Sequence, residues 1–108
     1  MLERQFQAKL LKELRRRLPA AVIWKHTDAR NGGIPDVSIT LYGNTTWFEI
    51  KVAPNKLSKL QEFYLAKLGK CGHVVTYRPT MDIVDVDGLG YVFSSAVAHI
   101  AQLCMERV

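Results

Sequence analysis

Leu2, Phe6, Leu10, Leu14 and Leu18 recur every four residues, with Leu11 widening the stripe. This spacing predicts an amphipathic helix over residues 2–18, ended by Pro19. Lys9, Lys12, Arg15 and Arg16 lie off the stripe. Residues 21–26 (AVIWKH) read as a strand, and the polar, glycine-rich 27–33 as a loop. Residues 34–41 (IPDVSITL) alternate like a strand, with Pro35 tolerable only near its start. Gly43-Asn44, within 42–45, is a turn pair that predicts a hairpin to the next strand, 46–52 (TWFEIKV).

Pro54-Asn55 breaks that strand, and Ser58 opens a second helix running to about Lys70. Its apolar face is Leu60, Phe63, Tyr64 and Leu68, and Gly72 suits its exit. Residues 73–77 (HVVTY) form a buried-type strand. Beyond Pro79 the pattern weakens: Asp87-Gly88 is a turn and 91–93 a short strand. Ser94 or Ser95 caps a last helix with Val97, Ile100, Ala101, Cys104 and Val108 on its apolar face. The order predicts an α/β fold, a mixed and mostly four-stranded sheet with helices on both faces. One domain is expected, with a core at about 2–78 and an appendage at 79–108.

Composition adds boundaries. A chain of 108 residues suits one hydrophobic core and not two. The apolar fraction of 48% and charged fraction of 23% are those of an ordinary globular domain. No apolar run approaches the roughly 20 residues of a membrane span, and the charged start is no signal peptide. The expected location is therefore cytoplasmic, or nucleoid-associated. Fifteen Lys and Arg against ten Asp and Glu leave a net charge of +5, a surplus that attracts polyanions, nucleic acid among them. Cys71 and Cys104 are distant and in no CxxC, which argues against a disulfide framework or structural zinc. No Walker A, H-E-x-x-H or G-x-S-x-G occurs.

Chemistry concentrates in Pro35-Asp36 and, after twelve residues, Glu49-Ile50-Lys51. Alternate residues of a strand share a face, so Trp47, Glu49 and Lys51 point one way and Phe48 and Ile50 the other. A hairpin between the two strands brings Asp36 beside Glu49. Two carboxylates can hold a hard divalent cation, which neutralises a phosphate and acidifies a water. A lysine beside them orients that water and balances phosphate charge. The plainer alternative is a surface Glu–Lys pair on an edge strand.

These residues resemble the PD-(D/E)xK nuclease superfamily. Within it, GGIPDVSI followed by WFEIKVAPNKLSKLQEFYLAKLGKCGHVV is similar to the virus-type replication-repair nuclease (VRR-NUC) domain. The shared elements are a Gly-x-Pro-Asp strand, an E-x-K strand, a helix opened by Leu57-Ser58-Lys59-Leu60-Gln61, and a glycine before an apolar strand. The likeness runs from about residue 2 to 78. It implies a restriction-endonuclease-like core that cuts DNA with Mg²⁺ or Mn²⁺. Asp36, Glu49 and the Ile50 backbone carbonyl would then be metal ligands, and Lys51 and Gln61 catalytic. Small stand-alone members resemble homodimeric Holliday-junction resolvases acting on four-way junctions, whereas versions fused to larger repair nucleases act on flaps.

Other residues keep two readings. At about 100° per residue, Glu3 falls on the centre of the apolar stripe, between Leu10 and Leu14. It is either an acidic residue delivered to the metal site, as the superfamily's first helix commonly does, or a first-turn glutamate favouring the helix dipole. Gln61 sits in a Ser58-x-x-Gln61 capping box, or beside Lys51 as the family resemblance implies. Lys25, His26 and Arg30 flank the loop before Asp36 and suit phosphate contacts, though His26 is equally a strand-end histidine. Lys56 and Lys59 are candidates for the DNA backbone. A homodimer is expected, with the apolar face of the last helix as one surface for it and packing on the protein's own sheet as the alternative.

Overall fold

In the computed structural model, which describes residues 2–26 and 32–107, three helices flank a six-stranded sheet. The helices are α1 (Glu3–Arg17), α2 (Lys59–Leu68) and α3 (Phe93–Met105). The strands are β1 (Val22–Lys25), β2 (Val37–Leu41), β3 (Asn44–Val52), β4 (Gly72–Arg78), β5 (Ile83–Val86) and β6 (Leu89–Tyr91). Their spatial order is the chain order. Only β3 and β4 run parallel, joined through α2; the other neighbours are antiparallel.

The α/β class and the flanking helices agree with the sequence reading, but the sheet has six strands rather than four. Residues 79–107 are no appendage. Val84 and Val86 on β5, and Ala96, Val97, Ile100, Ala101 and Cys104 on α3, lie in the same core as Phe6, Leu10, Leu14, Ile39, Phe48 and Ile50. The β5 strand escaped notice because IVDV is only four residues long and follows a polar turn. The apolar face of α3 is thereby covered from within, against α1 and the sheet, and is not a free surface for a second copy. Val108 lies outside the described residues.

Local chemistry moves several boundaries. Leu2 caps α1 rather than joining its stripe and is largely exposed. The β2–β3 turn is Tyr42-Gly43, with Asn44 already paired to Leu41. Both turn residues have positive φ (49° and 83°), the geometry of a tight two-residue hairpin. Asp87-Gly88 repeats that geometry between β5 and β6. Gly69, not Gly72, ends α2, and Gly72 starts β4. Val92, not a serine, precedes α3, and Phe93 belongs to that helix instead of to a strand.

The two faces of the sheet differ in depth. On one, α1 and α3 bury Phe48, Ile50 and Val75 almost completely, and Phe6 touches Tyr77 and Phe93. On the other lies α2 alone, and none of its residues is fully buried. Gly33 lets the chain pass under that helix. A Cβ there would fall 2.5 Å from side-chain carbons of both Leu60 and Tyr64.

Candidate active site

The β2–β3 ladder ends at the pair Val37–Phe48, so the next residues outward, Asp36 and Glu49, face each other where the strands part. There the Ile50 N–H has no β2 carbonyl to meet, and Asp36 Oδ2 accepts it at 2.9 Å. Backbone geometry thus sets the Asp36 carboxylate over the centre of β3. The Asp36 carbonyl in turn accepts the His26 N–H at 2.6 Å, tying the end of β1 to the same point.

Glu49 is not half of a surface pair on an edge strand. β3 is the third of six strands, and the Glu49 side chain is 1% exposed. Lys51 follows on the same face, its Nζ 3.9 Å from Glu49 Oε2 and its side chain 15% exposed. Burial is the main force raising the Glu49 carboxyl, and the hydrogen bond to Asp36 and its charge add to it. Lys51 pulls the other way and Glu3 contributes the smallest upward push, leaving Glu49 at about 9. At neutral pH, with no ion bound, Glu49 therefore keeps its proton.

Glu49 Oε1 is buried and has no hydrogen-bond partner among the described residues. A buried carboxylate oxygen without a partner, facing a second carboxylate beside an ammonium group, is the donor chemistry a hard cation needs. The residues fit such an ion in this respect. Glu3, half-buried at the start of α1, is near enough to act on Glu49 through its charge, but the described residues contain no cluster of three or more His, Cys, Asp or Glu placed to ligate one ion. The Ile50 group tied into the site is its N–H.

The remaining candidates divide by position. Gln61 completes the capping box: its Oε1 accepts the Ser58 N–H at 2.9 Å and its N–H donates to Ser58 Oγ at 3.1 Å. The carbonyl end of Gln61 is committed to α2, not to Lys51. His26 lies on the Glu49 face, Nε2 2.7 Å from Ser38 Oγ and its ring 5.1 Å from that of Trp47. Lys25 alternates to the opposite face, since its ladder partner Val37 points into the core. Lys56 and Lys59 are exposed at the entry to α2. Arg30 lies outside the described residues.

A turn at Gly43-Asn44 would set Ser38 opposite Glu49, whereas the observed turn sets it opposite Trp47. The sequence reading had Trp47 on the Glu49 face but missed Ser38, whose Oγ meets His26 Nε2. It also missed an open cleft of about 180 Å³ between Ile34, Pro35 and Trp47 on one side and Tyr64 and Leu68 of α2 on the other. Within the described residues, no helix is long and apolar enough to cross a membrane. Compared with known proteins, the chain matches no protein-family model and no curated protein.

Proposed function

We propose that this protein is a divalent-metal-dependent, structure-selective DNA endonuclease that hydrolyses phosphodiester bonds. The observation that carries the reading is Glu49, a fully buried carboxyl with an unpartnered oxygen, paired to Asp36 and followed by Lys51 at a fork in the sheet. Asp36 and Glu49 would hold Mg²⁺ or Mn²⁺, which when bound supplies Lewis acidity and a more acidic water. Glu49 would release its proton on becoming a ligand. Asp36 keeps its direction through the Ile50 N–H. Lys51, partly exposed, directs its ammonium group toward an incoming phosphate and offsets the charge that builds up there. The basic surface holds the DNA backbone.

Branched DNA, including four-way junctions, belongs to this proposal, as do a homodimer for symmetric cutting and a cytoplasmic or nucleoid setting. With the α3 face spent internally, a dimer needs another surface. The test is a panel of linear duplex, flap, splayed-arm and four-way junction DNA, incubated with Mg²⁺, with Mn²⁺ and with EDTA. Cleavage in metal and none in EDTA is the expected result. Absence of cleavage with either metal on every substrate would sink the reading and favour a non-catalytic DNA-binding module.

A further inference from the structure

The face of the sheet carrying Glu49 also carries both tryptophans. Trp24, Ser38 and Trp47 stand opposite one another on β1, β2 and β3. The two tryptophans are thus two strand spacings apart, roughly 10 Å. Trp24 is 65% exposed, and the Trp47 ring meets His26. Across from Trp47, α2 leaves Leu60 and Phe63 about half exposed and Tyr64 and Leu68 half-buried. Between them lies the 180 Å³ cleft, lined among the described residues by apolar surface.

Two links bind this cleft to the carboxylate fork. Pro35, on its wall, directly precedes Asp36. Trp47, on its floor, is two residues before Glu49 on the same face, about 7 Å along the strand. An occupant of the cleft would be one nucleotide's reach from a phosphate at Asp36 and Glu49. Lys56 and Lys59 at the head of α2, and Lys67 with its Nζ 5.2 Å from the Phe63 ring, add positive charge along the same side.

Resting on the nuclease reading, we propose that this cleft receives an unpaired nucleobase adjacent to the phosphate to be cut. A base offers flat π faces and little else that an apolar, aromatic cleft can bind, and its attached phosphates match the lysines around it. A duplex keeps its bases stacked inside and has none to offer, so the cleft selects DNA with a single-stranded or unpaired nucleotide at the cut.

The test uses Trp24→Phe protein, in which Trp47 is the remaining tryptophan, titrated in EDTA with short single-stranded oligothymidylate. Binding should quench the Trp47 emission. In that background Tyr64→Ala, which removes a wall, and Leu68→Phe, which fills the cleft, should each weaken binding by about tenfold. An abasic strand of equal length should bind intact-cleft protein as weakly as oligothymidylate binds the variants. Circular dichroism confirms that each variant is folded. Equal affinity for abasic and thymidine strands, or unchanged affinity in Leu68→Phe, would overturn the inference. Metal-dependent cleavage with no preference for unpaired substrates would also overturn it while leaving the nuclease reading intact. Base-dependent binding without cleavage would overturn the nuclease reading alone.

Discussion

Asp36 Oδ2 meets the backbone N–H of Ile50 where β2 and β3 separate, so one carboxylate both ends the ladder and faces Glu49. Structure and chemistry share this group, and substitutions can separate them. Asp36→Asn keeps an oxygen for the Ile50 N–H and should unfold in urea near the wild-type midpoint. Asp36→Ala orphans that N–H and should cost about 1–3 kcal/mol. Both should abolish metal-dependent cleavage. Wild-type activity in Asp36→Asn would remove Asp36 from the chemistry.

Glu49 sets a pH dependence of stability. Its carboxyl rises from an ordinary 4.5 to about 9 in the fold, chiefly through burial. The folded state therefore binds the proton more tightly than the unfolded chain does. Its contribution is fully present below about pH 4.5 and is lost as pH rises through about 9. Glu49→Gln carries no such proton. Denaturation of the metal-free proteins across pH 5–9 should show wild type losing stability relative to Glu49→Gln as pH rises. A constant difference would mean that Glu49 titrates normally. Mg²⁺ should narrow the gap by taking the proton's place, and Glu49→Gln should not cleave.

Lys51 lies beside the pair, its Nζ 3.9 Å from Glu49 Oε2. Lys51→Ala should keep metal binding in calorimetry and lose about 10²–10⁴-fold in cleavage rate. Loss of metal binding in that variant would make Lys51 part of the site's architecture instead.

Gly33 holds α2 at its present distance from the sheet, because any Cβ there collides with Leu60 and Tyr64. Gly33→Ala should destabilise by about 1–3 kcal/mol as the helix shifts outward. Thermal unfolding checks this. An unchanged midpoint would show that the two side chains yield without cost.

The long periodic elements were legible in the sequence. Phe6, Leu10 and Leu14 mark α1, and the alternation through TWFEIKV marks β3, because each buries a continuous face. The pairing of Asp36 with Glu49 depends on a turn one residue earlier than Gly43-Asn44 suggested, since a turn at Gly43-Asn44 would set Asp36 opposite Lys51. Tyr42 takes up the positive φ there that Asn or Gly adopts more readily. β5 and β6 were not legible, because they are only four and three residues long and β6 is largely exposed, so neither carries a periodic pattern of its own. Gln61 shows the limit on the site. A capping box and a catalytic amide use the same residue at the same spacing, and only the hydrogen bonds to Ser58 separate them.

A sheet whose strands lie in chain order has consequences for how it forms. Residues 42–43, 79–82 and 87–88 join three of the four antiparallel pairs, so little loop entropy is lost before those contacts are made; β1 and β2 are separated by the longer 26–36. The parallel seam between β3 and β4 must wait for the chain to cross through α2. Two halves can therefore take shape separately, β1 to β3 and β4 to β6, before they dock. Asp36, Glu49 and Lys51 all belong to the first half. The β2–β3 hairpin by itself sets Asp36 beside Glu49, and the parallel pairing of β3 with β4 encloses the fork from its other side.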